Sequence, residues 1–320
     1  MQDLFIRHPT LSLAAGAIVF SLVTAMLLAV DAFSPEVLPL SFSSNQQLLG
    51  ANLLLMLIPT YLAMGWGLLQ HRSGILLAKI DEQHPGHDYR SRLATPARHL
   101  IIGGGAGGIY GVSFNLPVGS LNEFLNGGPL TICIVLGMIF LWLCAGLVLA
   151  SRLYVSGLFS KAGEAVPLEP YDLARLEPFA RMGMSDMLMT VGAVALSVVQ
   201  SIDATFRLEN YLFALAVAVP ATLLLLLRPM SRVHARLKAF KASELAAINA
   251  LIGNAPKTLA PDAVAALESL LQRRDRVRAL STWPLNTAMI SRLIIYGIIP
   301  PVAWFAAAVV EFLVTDALSG

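Results

Sequence analysis

The chain has 320 residues, 56% hydrophobic and 13% charged, with a formal net charge of +2 and a mean hydropathy of +0.70. Soluble domains carry charge on roughly a quarter of their residues. This balance excludes an ordinary water-soluble protein and predicts an all-α, polytopic integral membrane protein.

A helix rising about 1.5 Å per residue needs roughly 20 apolar residues to cross some 30 Å of hydrocarbon. Seven stretches qualify, at about 10–30, 48–70, 100–118, 129–150, 183–202, 211–228 and 288–314. The first follows Arg7 but is longer than the roughly 7 to 15 residues of a signal-peptide core, and no small-residue cleavage site follows, so it reads as an uncleaved helix. With the N-terminus cytoplasmic, every Lys and Arg except Arg207 falls on the inner side, where basic residues are retained during insertion. The expected division is a six-helix transmembrane region over 1–228, a basic cytoplasmic helical hairpin over 229–287, and a seventh helix with a short external tail over 288–320. The third, glycine-rich span decides whether the crossing number is odd, and with it the side of the C-terminus. Outer connections are short, so the polar chemistry is expected in the cytoplasm.

Along the chain, Pro59 interrupts the second span, Pro220 the sixth and Pro300-Pro301 the last. Each frees a carbonyl and bends its helix, and they read as kinks. Beyond the second span, Ile75, Leu76, Leu77 and Ile80 suit a helix that leaves the bilayer or lies on its surface. Leu153, Val155, Leu158 and Phe159 repeat the pattern after the fourth span. Together these predict a cytoplasmic collar. Between them, His84 and His87 stand near Asp81 and Asp88, a metal set that Pro85-Gly86 disfavours by placing a turn where a rigid ligand-bearing face is usual. No cofactor is expected.

The third span carries Gly103, Gly104, Gly107, Gly108 and Gly111, which form two small-xxx-small frames. Bare helix faces let membrane helices approach closely, so packing is the expected role. The competing reading is a broken helix lining a pore, with Ser113 and Asn115 in water. A dinucleotide site would need a soluble strand, turn and helix, which are absent. Cys133 and Cys144 lie eleven residues apart, about 16 Å along one helix, too far for a disulfide.

The middles of all seven spans lack charge, which argues against a proton- or ion-coupled transporter. Asp186 and Arg292 lie a few residues inside the inner boundary and are expected to form an ion pair tying the fifth span to the seventh. The alternative is that each snorkels toward water.

In 229–287, Val233, Leu237, Phe240, Leu245, Ile248 and Ile252 recur at helical spacing. Gly253 to Pro256 end that helix, and Pro261 and Asp262 open a second one. The resulting hairpin carries Arg273, Arg274, Arg276 and Arg278 where the chain returns to the membrane. This cluster serves topology and offers a contact for anionic lipid headgroups or a cytoplasmic protein. It lacks interleaved aromatics and any nucleic-acid-binding motif, so nucleic acid is excluded as a partner.

No catalytic residue is identified. There is no phosphate-binding loop, Asp186 has no second intramembrane aspartate, and Ser113 has no histidine within the spans to act as base. Trp283-Pro284-Leu285, Arg292, Tyr296, Pro300-Pro301, Trp304 and Glu311 resemble the C-terminal region of uncharacterised bacterial multi-pass membrane proteins. That resemblance covers about the last hundred residues and implies a bacterial plasma (inner) membrane setting but no activity. The expected function is a non-enzymatic signalling, scaffold or assembly component acting through the hairpin of 231–280. The competing class is a channel or uncoupled transporter, as a homo-oligomer, using the glycine-rich helix and the proline-broken helices.

Overall fold

The structure, a computed structural model, describes residues 8–36, 44–83, 86–116, 126–167, 173–197, 208–254, 261–285 and 288–295, with single positions around them. Every regular element among the described residues is helical. In chain order these are α1 (Thr10–Leu28), α2 (Asn45–Gln83), α3 (Ala97–Asn115), α4 (Gly128–Ala165), α5 (Glu177–Leu196), α6 (Leu208–Gly253) and α7 (Pro261–Ala279). Short 3-10 turns lie at Arg90–Arg92 and Leu173–Leu176, and residues 288–295 are helical. Four helices, α1, α2, α4 and α6, are long and apolar enough to cross a bilayer. Glycine dilutes the hydropathy of α3, and Glu177, Arg181 and Asp186 that of α5. The seventh apolar stretch, with Pro300 and Pro301, falls largely outside the described residues.

Contacts between helices set their relative directions. On α1, Ser12 lies opposite Gly67 and Gly16 opposite Met64, so α1 and α2 are antiparallel. Asp31, in the left-handed region at φ 52°, turns the chain after α1, and Asn52 Nδ2 donates to the Ala32 carbonyl at 2.7 Å. Leu55 lies opposite Gly137, and Trp66 and Gln70 lie beside Ser151, which makes α2 and α4 parallel. Glycines at 103, 107 and 111 run antiparallel to 150, 142 and 139 of α4. Gly192 and Met189 of α5 meet Tyr61 and Gly65 of α2, and Gly157 and Gly163 of α4 meet Arg228 and Val233 of α6. Successive helices from α1 to α6 thus alternate in direction.

The surface is inverted relative to a soluble protein. Ile18, Leu22, Ile101, Ile102 and Ile109 are each more than half exposed, while Asn52, Gln70, Arg152 and Asp186 are buried. So many large apolar side chains facing outward suit lipid, not water. The chain is a membrane protein.

The described residues form two cores. The first joins α1, α2, α4 and α5 through Leu27, Leu54, Leu55, Ile58, Leu141 and Met189. The second lies at the end of the bundle rich in arginine. There α2 and α4, at 39 and 38 residues, continue unbroken past the lengths a bilayer needs. Leu77, Ile80, Val155 and Phe159, all fully buried, pack with Phe179, Met182, Met230, Val233 and Leu237, and Phe159 meets Phe179 edge to face at 6.2 Å. The segments after the second and fourth spans, expected to leave the bilayer or lie on its surface, thus continue α2 and α4 and bury Leu76, Leu77, Ile80, Val155 and Phe159 in a second core, while Ile75 stays exposed.

Two basic residues close helix ends. Arg236 Nη1 donates to the carbonyls of Gly163 and Val166 at 3.0 and 2.6 Å, satisfying acceptors that the last turn of α4 leaves without partners. Lys241 Nζ donates to the carbonyls of Arg278 and Leu280. It thereby fastens the end of α7 to α6, along which α7 runs antiparallel, with Arg273 bonded to Glu244 at 3.1 Å and His234 stacked on Trp283 at 4.0 Å.

Candidate functional site

The most unusual chemistry lies where the first core meets the second. Arg152, on α4, and Asp186, on α5, are 1% exposed and joined by Arg152 Nε donating to Asp186 Oδ1 at 2.8 Å. The guanidinium Nη2 also donates to Ser73 Oγ at 2.9 Å and lies 3.4 Å from Met182 Sδ. Ser73 in turn donates to the Leu69 carbonyl at 2.6 Å. Arg152 Nη1 and Asp186 Oδ2 have no hydrogen-bond partner among the described residues. Each ion costs several kcal/mol to remove from water, and a pair recovers this only when its remaining donors and acceptors are satisfied. Two of this pair's five polar atoms are thus unsatisfied among the described residues.

The sequence-based expectation pairs Asp186 with Arg292. In the structure Asp186 takes Arg152 instead, and Arg292 is exposed. The reason is depth along α4. Arg152 follows the fourth apolar run directly and reads as a topology residue, but the helix continues through Leu153, Val155 and Phe159 into the second core. Arg152 is thereby held between α2 and α5 and cannot extend to water. The signal that would have found it is that apolar residues resume beyond the arginine.

Ser151, the preceding residue, points about 100° away around the helix and forms a second hub. Trp66 Nε1 and Gln70 Nε2 donate to its Oγ at 2.9 and 3.0 Å, and Thr95 Oγ1 lies 3.0 Å away. A hydroxyl has two acceptor positions and one donor. With both acceptor positions used, Ser151 donates to Thr95. Two consecutive residues of α4 thus tie it to α2, to α5 and to the chain entering α3.

Arg152 and Asp186 line one end of a cavity of about 580 Å³. It extends through Leu62, Leu141 and Ala221 to Gln47, Asn115 and Ser197 at the far end. Its walls come from α2, α3, α4, α5 and α6. The arrangement is a largely apolar chamber with amide and hydroxyl groups at one end and a charged pair at the other. That pattern suits an amphipathic molecule.

The glycine-rich segment is one unbroken helix, α3. Gly103, Gly107 and Gly111 lie against α4, where an added Cβ would strike Ala150, the Trp142 carbonyl and the Ile139 backbone respectively. Gly104 faces Leu147 at 3.0 Å, whereas Gly105 and Gly108 meet nothing within 4 Å. Ser113 and Asn115 bond back to the carbonyls of Ile109 and Gly111. The close frame is therefore Gly103, Gly107 and Gly111. Pro59 lies within α2 and Pro220 within α6, which also contains Pro229.

The metal candidates are dispersed into turns. Asp81 accepts the backbone N–H groups of Tyr89 and Arg90, both at 3.0 Å, and Asp88 accepts that of Ser91 at 3.0 Å. His87 stacks on Tyr89, and His84 lies outside the described residues. Among the described residues, no three His, Cys, Asp or Glu groups converge as a metal site. Of the arginine cluster, Arg273 pairs with Glu244 and Arg274 with Asp275 at 3.6 Å, while Arg276 and Arg278 are exposed. Cys133 and Cys144 are free thiols.

The chain matches no family model, no curated protein and no solved structure. The functional reading therefore rests on the geometry above.

Proposed function

We propose that this is a seven-span protein of a bacterial inner membrane, with its N-terminus in the cytoplasm. It works without catalysis, as a signalling, scaffold or assembly component. Its working part is the two-helix arm of 231–280, which engages a cytoplasmic protein. The observation that carries this reading is the continuity of α6, a single helix of 46 residues. At about 1.5 Å per residue it is about 69 Å long, more than twice the roughly 30 Å of hydrocarbon. The rod that walls the central cavity at Val217, Ala221 and Leu225 therefore extends far beyond a membrane and carries α7. The alternating helix directions and the gathering of arginines at one end support the assigned orientation.

The test is in-cell crosslinking and mass spectrometry of the full chain against a variant in which 243–275 is replaced by a short Gly–Ser linker. This replacement keeps Lys241 and its bond to the Arg278 carbonyl. A protein captured only by the full chain, with insertion equal in both, is the expected result. Identical captures from the two chains would overturn the reading.

The central cavity favours a second reading, a channel or uncoupled transporter for a small amphipathic solute. It differs from the pore expected of a broken α3 because the chamber lies among five helices. Solute flux into proteoliposomes that Ala193→Trp, a cavity-filling change, leaves unaltered would exclude it.

A further inference from the structure

A second cavity, of about 630 Å³, opens between α3, α4 and α6. We propose that it is a binding groove for one anionic phospholipid, headgroup at the arginine-rich end and an acyl chain along the glycine floor. The proposal is independent of the arm. It draws on the orientation above only for which leaflet supplies the lipid.

The groove is divided by chemistry along its length. At one end Arg98, Lys161 and Arg228 line it, from three different helices or helix ends. All three are exposed, and none is ion-paired among the described residues, although other arginines of the same region, Arg181 and Arg232, take Glu177 and Glu164. His99 lies with them, its ring 5.1 Å from that of Tyr154 and its Nδ1 without a partner among the described residues. Toward the bundle middle the lining turns apolar, through Ile102, Ala106, Leu149 and Val217 to Trp142.

The floor is the close seam of α3 and α4. Gly103, Gly107 and Gly146 bring α3 and α4 together, and Gly157 leaves the space over which Arg228 is laid, so that an added Cβ would stand 3.3 Å from its guanidinium. From Arg98 to Tyr110 is about 18 Å and from Arg228 to Val217 about 16 Å along their helices. Half a hydrocarbon core is about 15 Å. A single lipid leaflet has the length, the apolar stem and the negative head that this groove complements. Anionic headgroups are also concentrated on the cytoplasmic face, where such cations gather.

The experiment is native mass spectrometry of the full-length protein in neutral detergent, titrated with palmitoyl-oleoyl phosphatidylglycerol or with the phosphatidylcholine of the same chains. Wild type is expected to retain the glycerol lipid over the choline lipid by at least about tenfold. Arg98→Gln with Lys161→Gln and Arg228→Gln is expected to bring that ratio close to one. Gly157→Leu, which blocks the floor without changing charge, is expected to reduce retention of both lipids. Arg273→Gln with Arg274→Gln, Arg276→Gln and Arg278→Gln, in the arm, is expected to keep the preference for the glycerol lipid well above that of the groove variant. Equal retention by wild type overturns the proposal. So does a groove variant that keeps the preference, an arm variant that loses it as fully, or unchanged retention in Gly157→Leu.

Discussion

Arg152 and Asp186 are 34 residues apart in sequence, yet their side chains meet at 2.8 Å with almost no exposure to solvent. They join the middle of α4 to the first half of α5 at the boundary between the two cores. Arg152→Gln leaves Asp186 buried without its counter-charge and is expected to cost about 3–5 kcal/mol. Arg152→Met combined with Asp186→Leu is expected to recover most of that loss, as does the exchange Arg152→Asp with Asp186→Arg. Thermal unfolding in detergent, read by size-exclusion chromatography, checks this. A double variant no better than the single ones would show that the two side chains are not coupled.

Arg292 provides the contrast. It is exposed, so Arg292→Glu is expected to stay within about 0.5 kcal/mol of wild type. The same melt, run beside Arg152→Gln, separates the two possible partners of Asp186.

Glycines two residues apart on α3 are expected to behave oppositely. Gly107→Leu drives a side chain into the Trp142 carbonyl and Gly146 of α4 and is expected to cost at least the about 1–3 kcal/mol of overpacking. Gly105→Leu meets nothing within 4 Å and is expected to be neutral or mildly stabilising, since glycine is a poor helix former by about 1 kcal/mol. Melting temperatures of the two variants decide the matter.

Arg236 is expected to control the end of α4. Removing its guanidinium as Arg236→Ala leaves the carbonyls of Gly163 and Val166 without their donor. Charge-assisted hydrogen bonds of this kind contribute about 1.5–3 kcal/mol. Hydrogen exchange should accelerate around residues 160–166 while α3 is unaffected. Uniform acceleration across the chain would instead mark global destabilisation.

Orientation is tested by a cysteine at Ala250, on the arm, in a chain whose Cys133 and Cys144 are replaced by alanine. An impermeant maleimide is expected to label it only after the inner membrane is opened. Labelling in intact spheroplasts would reverse the assigned sidedness.

The helices were legible because lipid-facing segments are written as long apolar runs. The structure has helices at Thr10–Leu28 and Ala97–Asn115 where the sequence shows runs at 10–30 and 100–118. What the runs do not reveal is how far helices continue once the residues become mixed. Leu76, Leu77 and Ile80 beside Arg72 and Lys79 look amphipathic whether they rest on a bilayer or fill a second core, and only neighbours from α4, α5 and α6 distinguish the two. The role of Arg152 was hidden for the same reason. A basic residue at the end of an apolar run has the same local sequence whether it anchors the chain at the interface or is enclosed by a longer helix. Asp81 and Asp88, weighed as metal ligands and disfavoured because Pro85-Gly86 places a turn between the histidines, accept the backbone N–H groups of Tyr89, Arg90 and Ser91, partners that the linear spacing does not specify.

The clamping of α6 also sets how motion would travel along it. Met230, Val233 and Leu237 are gripped by the second core, with the cavity wall on one side of that grip and the arm on the other. A helix held near its middle works as a lever about a fulcrum. From Leu237 to Gly253 is about 24 Å, so a tilt of about 5° would carry the tip through about 2 Å. The cavity wall at Ala221, about 14 Å beyond Met230 on the other side of the fulcrum, would swing through about 1 Å in the opposite sense.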